Sequence, residues 1–377
     1  MKRTRTGKDA SSSRRTYGST RRSRARPSSS ATASTSRSGS PDAGAPSSQT
    51  SKPKSRAISG TSGFSDGNER AHEPVLVAEV LAQLDPRGGG RYLDGTVGAG
   101  GHAAAILDAS TPDGKLLGLD RDPAALAIAA RELARFGDRA ILARGNFAVL
   151  DKAAGEHGFA PLDGVLLDLG LSSIQLADDE RGFSFRSGGP LDMRSDPDLR
   201  DTAADVVNTW AEKDLRAVFA EYGEEPEAAR VAGAIVRRRV KAPFEAADDL
   251  GRFVAGVKTR RPRGIDPATR VFQALRIAVN DELANLEQAL AAAMPALRPG
   301  GRIVVISFHS LEDRIVKQFF ARESRDCICP PHLPTCVCGH RAGLRVLTRR
   351  PLRAASAEVD RNPRARSAAL RAAERLP

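Results

Sequence analysis

The chain has 377 residues, 28% of them charged, and a formal net charge of +12, a length that allows a sizeable core and more than one folding unit. The positive excess sits in residues 1–70, with 15 Lys/Arg against 4 Asp/Glu, so residues 71–377 are close to neutral and the overall basicity is no argument for a nucleic-acid surface. No run of 18 apolar residues exists to form a membrane helix, and the four cysteines, all between Cys327 and Cys338, are too few for a disulfide scaffold and fit a reducing cytoplasm.

Residues 1–70 are Ser, Thr, Arg, Pro and Gly with almost nothing to bury, the composition of a disordered basic extension. Its acid-poor makeup is that of a transit peptide, yet Met1 and Tyr17 are the only large apolar or aromatic residues in the first fifty, so no amphipathic face forms. The extension reads either as a tether for RNA phosphates or as a solubilising tail.

Order is expected from about His72. Pro74 at a helix start, followed by Val77, Val80, Leu81 and Leu84, predicts a short amphipathic helix. Strand and helix then alternate. Tyr92–Asp94 is a strand and a small-residue helix follows Gly101. Lys115–Asp120 is a second strand, leading to a helix capped by Asp122 with Pro123 in its first turn. Ala140–Ala143 and Leu162–Leu169 are the third and fourth strands. Such alternation predicts an α/β fold, a mostly parallel sheet with helices on both faces.

From Ser172 to Asp266 no strand pattern is present. Helical patterns run through Val206–Tyr222, Ala228–Val240 and Asp248–Val257, and predict a helical insertion of domain size. A long helix over Pro267–Ala296 follows, closed by Pro299-Gly300-Gly301. Next come an apolar strand, Arg302–Ser307, and a helix with Ser310 as N-cap and Asp313 completing a capping box. The expected organisation is therefore 1–70 extension, 71–171 first part of the core, 172–266 helical insertion for substrate recognition, and 267–377 second part of the core with a basic end.

The chemistry gathers around Asp94-Gly-Thr-Val-Gly-Ala-Gly-Gly-His102, a glycine-rich turn between a strand and a helix. Such a turn lets backbone N–H groups approach a ligand, and G-x-G-x-x-A from Gly98 to Ala103 equally fits a dinucleotide site. Asp94, just ahead of the glycines, disfavours a pyrophosphate and suits a ligand with positive charge and no phosphate, which favours S-adenosylmethionine over NAD. Asp120 ends the second strand where an acid grips ribose hydroxyls. Phe147 follows the third, where an aromatic serves an adenine ring or simply the core. Asp168 ends the fourth, where it can accept from a donor's ammonium group or from an amine being methylated.

Eight blocks, among them Asp94–His102, Leu167-Asp-Leu-Gly-Leu-Ser-Ser173, Arg181-Gly-Phe-Ser-Phe185, Arg270–Arg276, Ile306–Arg314 and Asn362–Ser367, run in order from about His72 to Arg375. Together they resemble the ribosomal RNA small-subunit methyltransferase H family, the bacterial cytosine-N4 methyltransferases. The resemblance implies a class I methyltransferase fold (Rossmann-like) with an inserted helical domain. It implies methyl transfer from S-adenosyl-L-methionine to the N4 amine of a cytidine in the decoding region of 16S rRNA, either free or in the small ribosomal subunit, in the cytoplasm. Cofactor contacts fall on Gly100, Gly101, His102, Asp120, Phe147, Asp168 and Gln175, of which His102 and Gln175 come from the resemblance alone. Asp168, Ser172, Ser173, Ser307 and His309 are the expected acceptor set for the amine protons. Asp168-Leu-Gly-Leu stands where amino-methyltransferases commonly carry Asp-Pro-Pro-Tyr.

Arg237–Arg239, Lys258–Arg263 and Arg364, Arg366 and Arg371 are basic clusters suited to phosphates or to solvated faces. Cys327-x-Cys329 and Cys336-x-Cys338, with His332 and His340 nearby, could be a zinc site, but they are spaced more tightly than ordinary zinc pairs, so no metal ligand is assigned and metal binding stays an alternative. An NAD-dependent oxidoreductase and a non-catalytic ribosome-assembly RNA-binding factor are the rival functions.

Overall fold

The computed structural model describes residues 74–172, 175–176, 178–260, 264, 266–330, 333 and 335–377; the basic extension and Ser173 lie outside them. The sheet is built from β1 (Arg91–Asp94), β2 (Lys115–Asp120), β3 (Ala140–Arg144), β4 (Leu162–Asp168), β5 (Leu297–Ser307), β6 (Leu344–Val346) and β7 (Ala369–Arg375). Their order is β3-β2-β1-β4-β5-β7-β6. β1 to β5 pair in parallel, and β7 runs antiparallel between β5 and β6. A parallel sheet with one antiparallel strand inserted next to the edge is the class I methyltransferase arrangement, an α/β Rossmann-like fold.

Period-two alternation sorts the strand residues onto two faces. Leu93, Leu117, Val165, Leu167, Ile303 and Val305 share one apolar cluster with helices Leu150–Glu156, Glu282–Ala296 and Ser310–Glu323. Tyr92, Leu116, Leu166, Val304, Ile306 and Leu370 share the other with helices Val77–Leu84, Gly101–Ala109 and Pro123–Leu133. A third cluster holds helices Ala203–Thr209, Glu212–Glu221, Ala228–Arg239 and Ala247–Val257 together. The helix Thr269–Asn280 buries Val271, Phe272 and Leu275 in this third cluster rather than against the sheet.

Four expectations need correction. The long helix over Pro267–Ala296 is two helices, broken at Asp281, which adopts left-handed backbone angles (φ 49°, ψ 36°). Asn280 holds the break: its amide donates to Met193 O at 2.7 Å and its carbonyl oxygen accepts from Ser195 N at 2.7 Å. The fifth strand starts at Leu297 and runs through Pro299-Gly300-Gly301, with a register shift opposite Leu162–Gly164. The cap of the helix after β5 is His309, whose partner in the capping box is Glu312, one residue earlier than the Ser310–Asp313 pair. The basic end contains β7, whose residues Leu370, Ala372 and Ala373 are fully buried. Asp122 caps its helix as expected, accepting from Ala124 N at 3.0 Å.

Candidate active site

A cavity of about 420 Å³ opens at the carboxyl ends of β1, β2 and β4, the place where parallel sheets collect ligands. One wall is the glycine turn Gly95–Ala99 with Gly101 and His102. Asp120, Phe147 and Asp168 follow at successive strand ends, and Ser195, Arg276 and Asn280 enter from the helical side.

The turn is tied to Asp120. Its Oδ2 accepts from Gly98 N at 3.0 Å and its Oδ1 from Asp122 N at 2.9 Å. Burial pushes this carboxyl up while the two N–H groups hold it down, and the net is a raised value. Each oxygen keeps a second lone pair for a hydroxyl. Gly98 has φ 53°, a left-handed conformation that lets its N–H turn back to Asp120. Phe147 stands beside this acid with the Arg121 guanidinium 5.8 Å from its ring centroid.

The floor is a chain of acids around one histidine. His102 Nε2 lies 2.8 Å from Val75 O; a carbonyl only accepts, so Nε2 carries the hydrogen. Burial lowers the His102 pKa, so the ring is neutral and its bare Nδ1 faces Asp168 Oδ2 at 3.5 Å. Two acceptors facing each other are relieved by a proton on Asp168. Burial first, and the charge of Glu312 second, push Asp168 to about 7. Its Oδ1 is buried with no hydrogen-bond partner. Glu312 itself sits below its ordinary value: burial pushes it up, but His309, Arg276 and the Phe308 N–H together outweigh that.

Asp94, which favoured a phosphate-free ligand in the sequence, is absent from the cavity wall. It is buried behind the turn, accepting from Thr96 N at 3.0 Å, and burial raises it to about 6. Its closeness to His102 is felt through charge alone.

Gly101, His102, Asp120, Phe147, Asp168, Ser172 and Gln175 come together around the cavity. Ser172 and Gln175 brace each other, Ser172 N donating to Gln175 Oε1 and Gln175 N to Ser172 Oγ, both at 3.2 Å. Gly100 lies beneath the turn, where a Cβ would meet Leu133 and the Ala129 backbone at 3.3 and 3.4 Å. Ser307 does not reach the cavity; it is buried and its hydroxyl donates to Ala369 O of β7 at 3.2 Å. His309 also lies off the cavity wall, its Nε2 3.1 Å from Glu312 Oε1. Sequence reasoning assigned no role to Arg276, Glu282 or Glu312, which line the cavity. Arg276 pairs with Glu282 at 2.8 Å. The only prior signal was that Arg276 and Glu312 stand inside two of the matching blocks.

Several residues of the basic clusters serve the fold, while Arg261 and Arg263 lie outside the described residues. Lys258 is buried, donating to Glu225 Oε2 at 2.6 Å and Pro267 O at 2.9 Å. Arg238 donates to Asp249 at 2.7 Å and stacks 4.0 Å from the Phe244 centroid. Arg239 donates to Val207 O, and Arg371 makes a two-point contact with Asp313. Arg364, by contrast, lines the cavity.

Known proteins extend this picture. The chain is 56% identical over 305 residues to the ribosomal RNA small subunit methyltransferase H of Thermomicrobium roseum, covering 81% of this chain and 94% of that one. It is 54% identical over 311 residues to the protein of the same name from Geobacter sulfurreducens, covering 81% and 99%. Among solved structures it is similar to an rRNA methylase from Streptococcus thermophilus, 10% identical with a TM-score of 0.35, covering 80% of this chain and 94% of that one; the fold stands on strand order without it. Residues 69–376, which carry the whole sheet and every wall of the cavity, match one family along their length, and the chain belongs to the MraW methylase family.

Proposed function

We propose that the chain transfers a methyl group from S-adenosyl-L-methionine to the N4 amine of a cytidine in the decoding region of small-subunit rRNA. The observation that carries the reading is the buried, unpartnered Oδ1 of Asp168 on the cavity floor. A buried acceptor without a donor is costly, and a cationic ammonium group satisfies it. The names of the relatives support rRNA of the small subunit as the substrate.

The residues present fit the donor. The free lone pairs of Asp120 suit ribose hydroxyls, Phe147 offers a face to the adenine, and Asp168 with His102 suits the methionine end. When bound, S-adenosylmethionine supplies a methyl group on a sulfonium, which leaves as a neutral thioether. The chain's own part is positioning and proton acceptance. The cytosine N4 lone pair is delocalised into the ring, and a hydrogen-bond acceptor on its N–H groups makes it more nucleophilic. Ser172 Oγ and the Asp168 carboxyl are the members of the expected acceptor set that line the cavity, and a carboxyl with a pKa of about 7 can take up a proton on the Oδ2 that faces the bare His102 Nδ1. Ser195 and Asn280 line the cavity from the helical side, which supports reading the helical segment as the substrate-recognition part.

The test is a labelled methyl-transfer assay on small subunits and on free rRNA lacking the modification, with nucleosides resolved by mass spectrometry. Labelled N4-methylcytidine supports the reading. Label on another base, or no label on either substrate, removes it.

A further inference from the structure

We propose that the excursion between the helix Ser310–Glu323 and β6 is a structural zinc site, with Cys327, Cys329, Cys336 and Cys338 as a tetrathiolate set. Its tight C-x-C spacing argued against metal in the sequence, but the arrangement in space reverses that argument.

The four sulfurs all lie within 4.8 Å of one another. Cys336 Sγ is 3.6 Å from Cys338 Sγ, which is 3.9 Å from Cys327 Sγ. Zinc bound to thiolates at about 2.3 Å in a tetrahedron puts its sulfurs about 3.8 Å apart. The observed separations are far too long for a disulfide, whose sulfurs sit about 2.05 Å apart. They are too short for the cysteines of a polynuclear iron–sulfur cluster, which are spread over several metal atoms.

Backbone N–H groups already point at the sulfurs. Cys329 N donates to Cys327 Sγ at 3.4 Å, Val337 N to Cys329 Sγ at 3.4 Å and Ile328 N to Cys338 Sγ at 3.5 Å. Donors in this position disperse the charge of metal-bound thiolates. The two C-x-C pairs thus support each other across the loop.

The described part of the loop has no apolar core of its own to hold a shape. Among the described residues from 324 to 343 none is buried, and Ile328 and Val337 are 43% and 77% exposed. Its two ends are closed by Gly343 N donating to Glu323 O at 2.8 Å. His340 has its Nε2 3.2 Å from Arg322 O, His332 lies outside the described residues, and among the described residues the four thiols form the set. A segment with no core that nevertheless brings four thiols together is the situation in which a metal supplies the folding energy.

The test uses the full chain purified without chelator. We expect about one zinc per chain by elemental analysis and thiols that react with a disulfide reagent only after a strong chelator is added. Cobalt(II) exchanged into the site should give the intense visible absorption of a tetrahedral thiolate centre. The double variant Cys336→Ser/Cys338→Ser should lose the metal and be cut by trypsin within 324–343 about tenfold faster, because the loop then opens locally. Zinc well below stoichiometry with four freely reactive thiols would overturn the proposal. So would iron in its place, two disulfides under reducing purification, or full zinc retention in the double variant.

Discussion

Replacing Asp168 with Asn removes the one carboxyl on the cavity floor that is held near neutrality. Its value in the folded chain is about 7 against an ordinary 3.8, which at 1.36 kcal/mol per unit is about 4 kcal/mol. Water reaches a side chain that is 21% exposed, so about 2 kcal/mol is the working figure. Because the folded value lies above the unfolded one, the folded chain keeps a proton that the unfolded chain releases. The stability from this group is complete below about pH 4 and is lost as pH rises through 7. Asp168→Asn should therefore match the wild type at about pH 3 and exceed it by about 2 kcal/mol at pH 8 in urea denaturation. Under the proposed function, the same carboxyl acts on a cationic donor in the opposite direction. At pH 6 about one chain in eleven has Asp168 ionised, so donor affinity should fall about tenfold between pH 8 and pH 6. In Asp168→Asn the affinity should be weaker and flat over that range. Calorimetry at both pH values measures this directly. An equal pH dependence of stability in the two proteins would refute the placement of the proton, since Asp94 and the other acids are common to both.

Three further outcomes follow from particular contacts. Lys258→Met leaves Glu225 buried and unpaired, and should destabilise the chain by about 3–5 kcal/mol in urea denaturation, while the salt dependence of RNA affinity in the folded fraction stays unchanged. Ser307→Ala removes a hydroxyl that donates to Ala369 O; stability should fall by about 1 kcal/mol, with single-turnover methylation within about twofold of wild type, since about 0.4 kcal/mol is all that such a factor allows. Asn280→Ala leaves Ser195 N and Met193 O without their side-chain partner. It should cost about 2–4 kcal/mol and raise the substrate KM more than it lowers kcat, because Ser195 lines the cavity.

The parts of the molecule legible in the sequence are those where local pattern and tertiary role agree. β2 and β4 are apolar runs ended by Asp120 and Asp168, and a buried parallel strand can hardly look otherwise. The cap at Asp122 is equally local. β7 was not legible because Ala369-Leu-Arg-Ala-Ala-Glu-Arg375 is made of good helix formers, and only the slot beside β5 makes it a strand. The break at Asp281 leaves the apolar periodicity on either side intact, so nothing local announces it. Charge was the least informative signal. Lys258 looks like any surface lysine until Glu225, 33 residues earlier, is seen beside it. Asp94 shows the same limit: in the sequence it argued for a ligand with positive charge and no phosphate, although in the structure it stands behind the cavity wall.

The place of β7 also sets an order of events during synthesis. The strand fits between β5 and β6, both made before it, and pairs Ser307 with Ala369, 62 positions further along the chain. Arg364 and Ser367, just ahead of β7, belong to the cavity wall. A nascent chain can therefore assemble β1 to β5 and the helical segment while the cavity stays open on one side. The cavity wall is complete only once Arg364, Ser367 and β7 have been made.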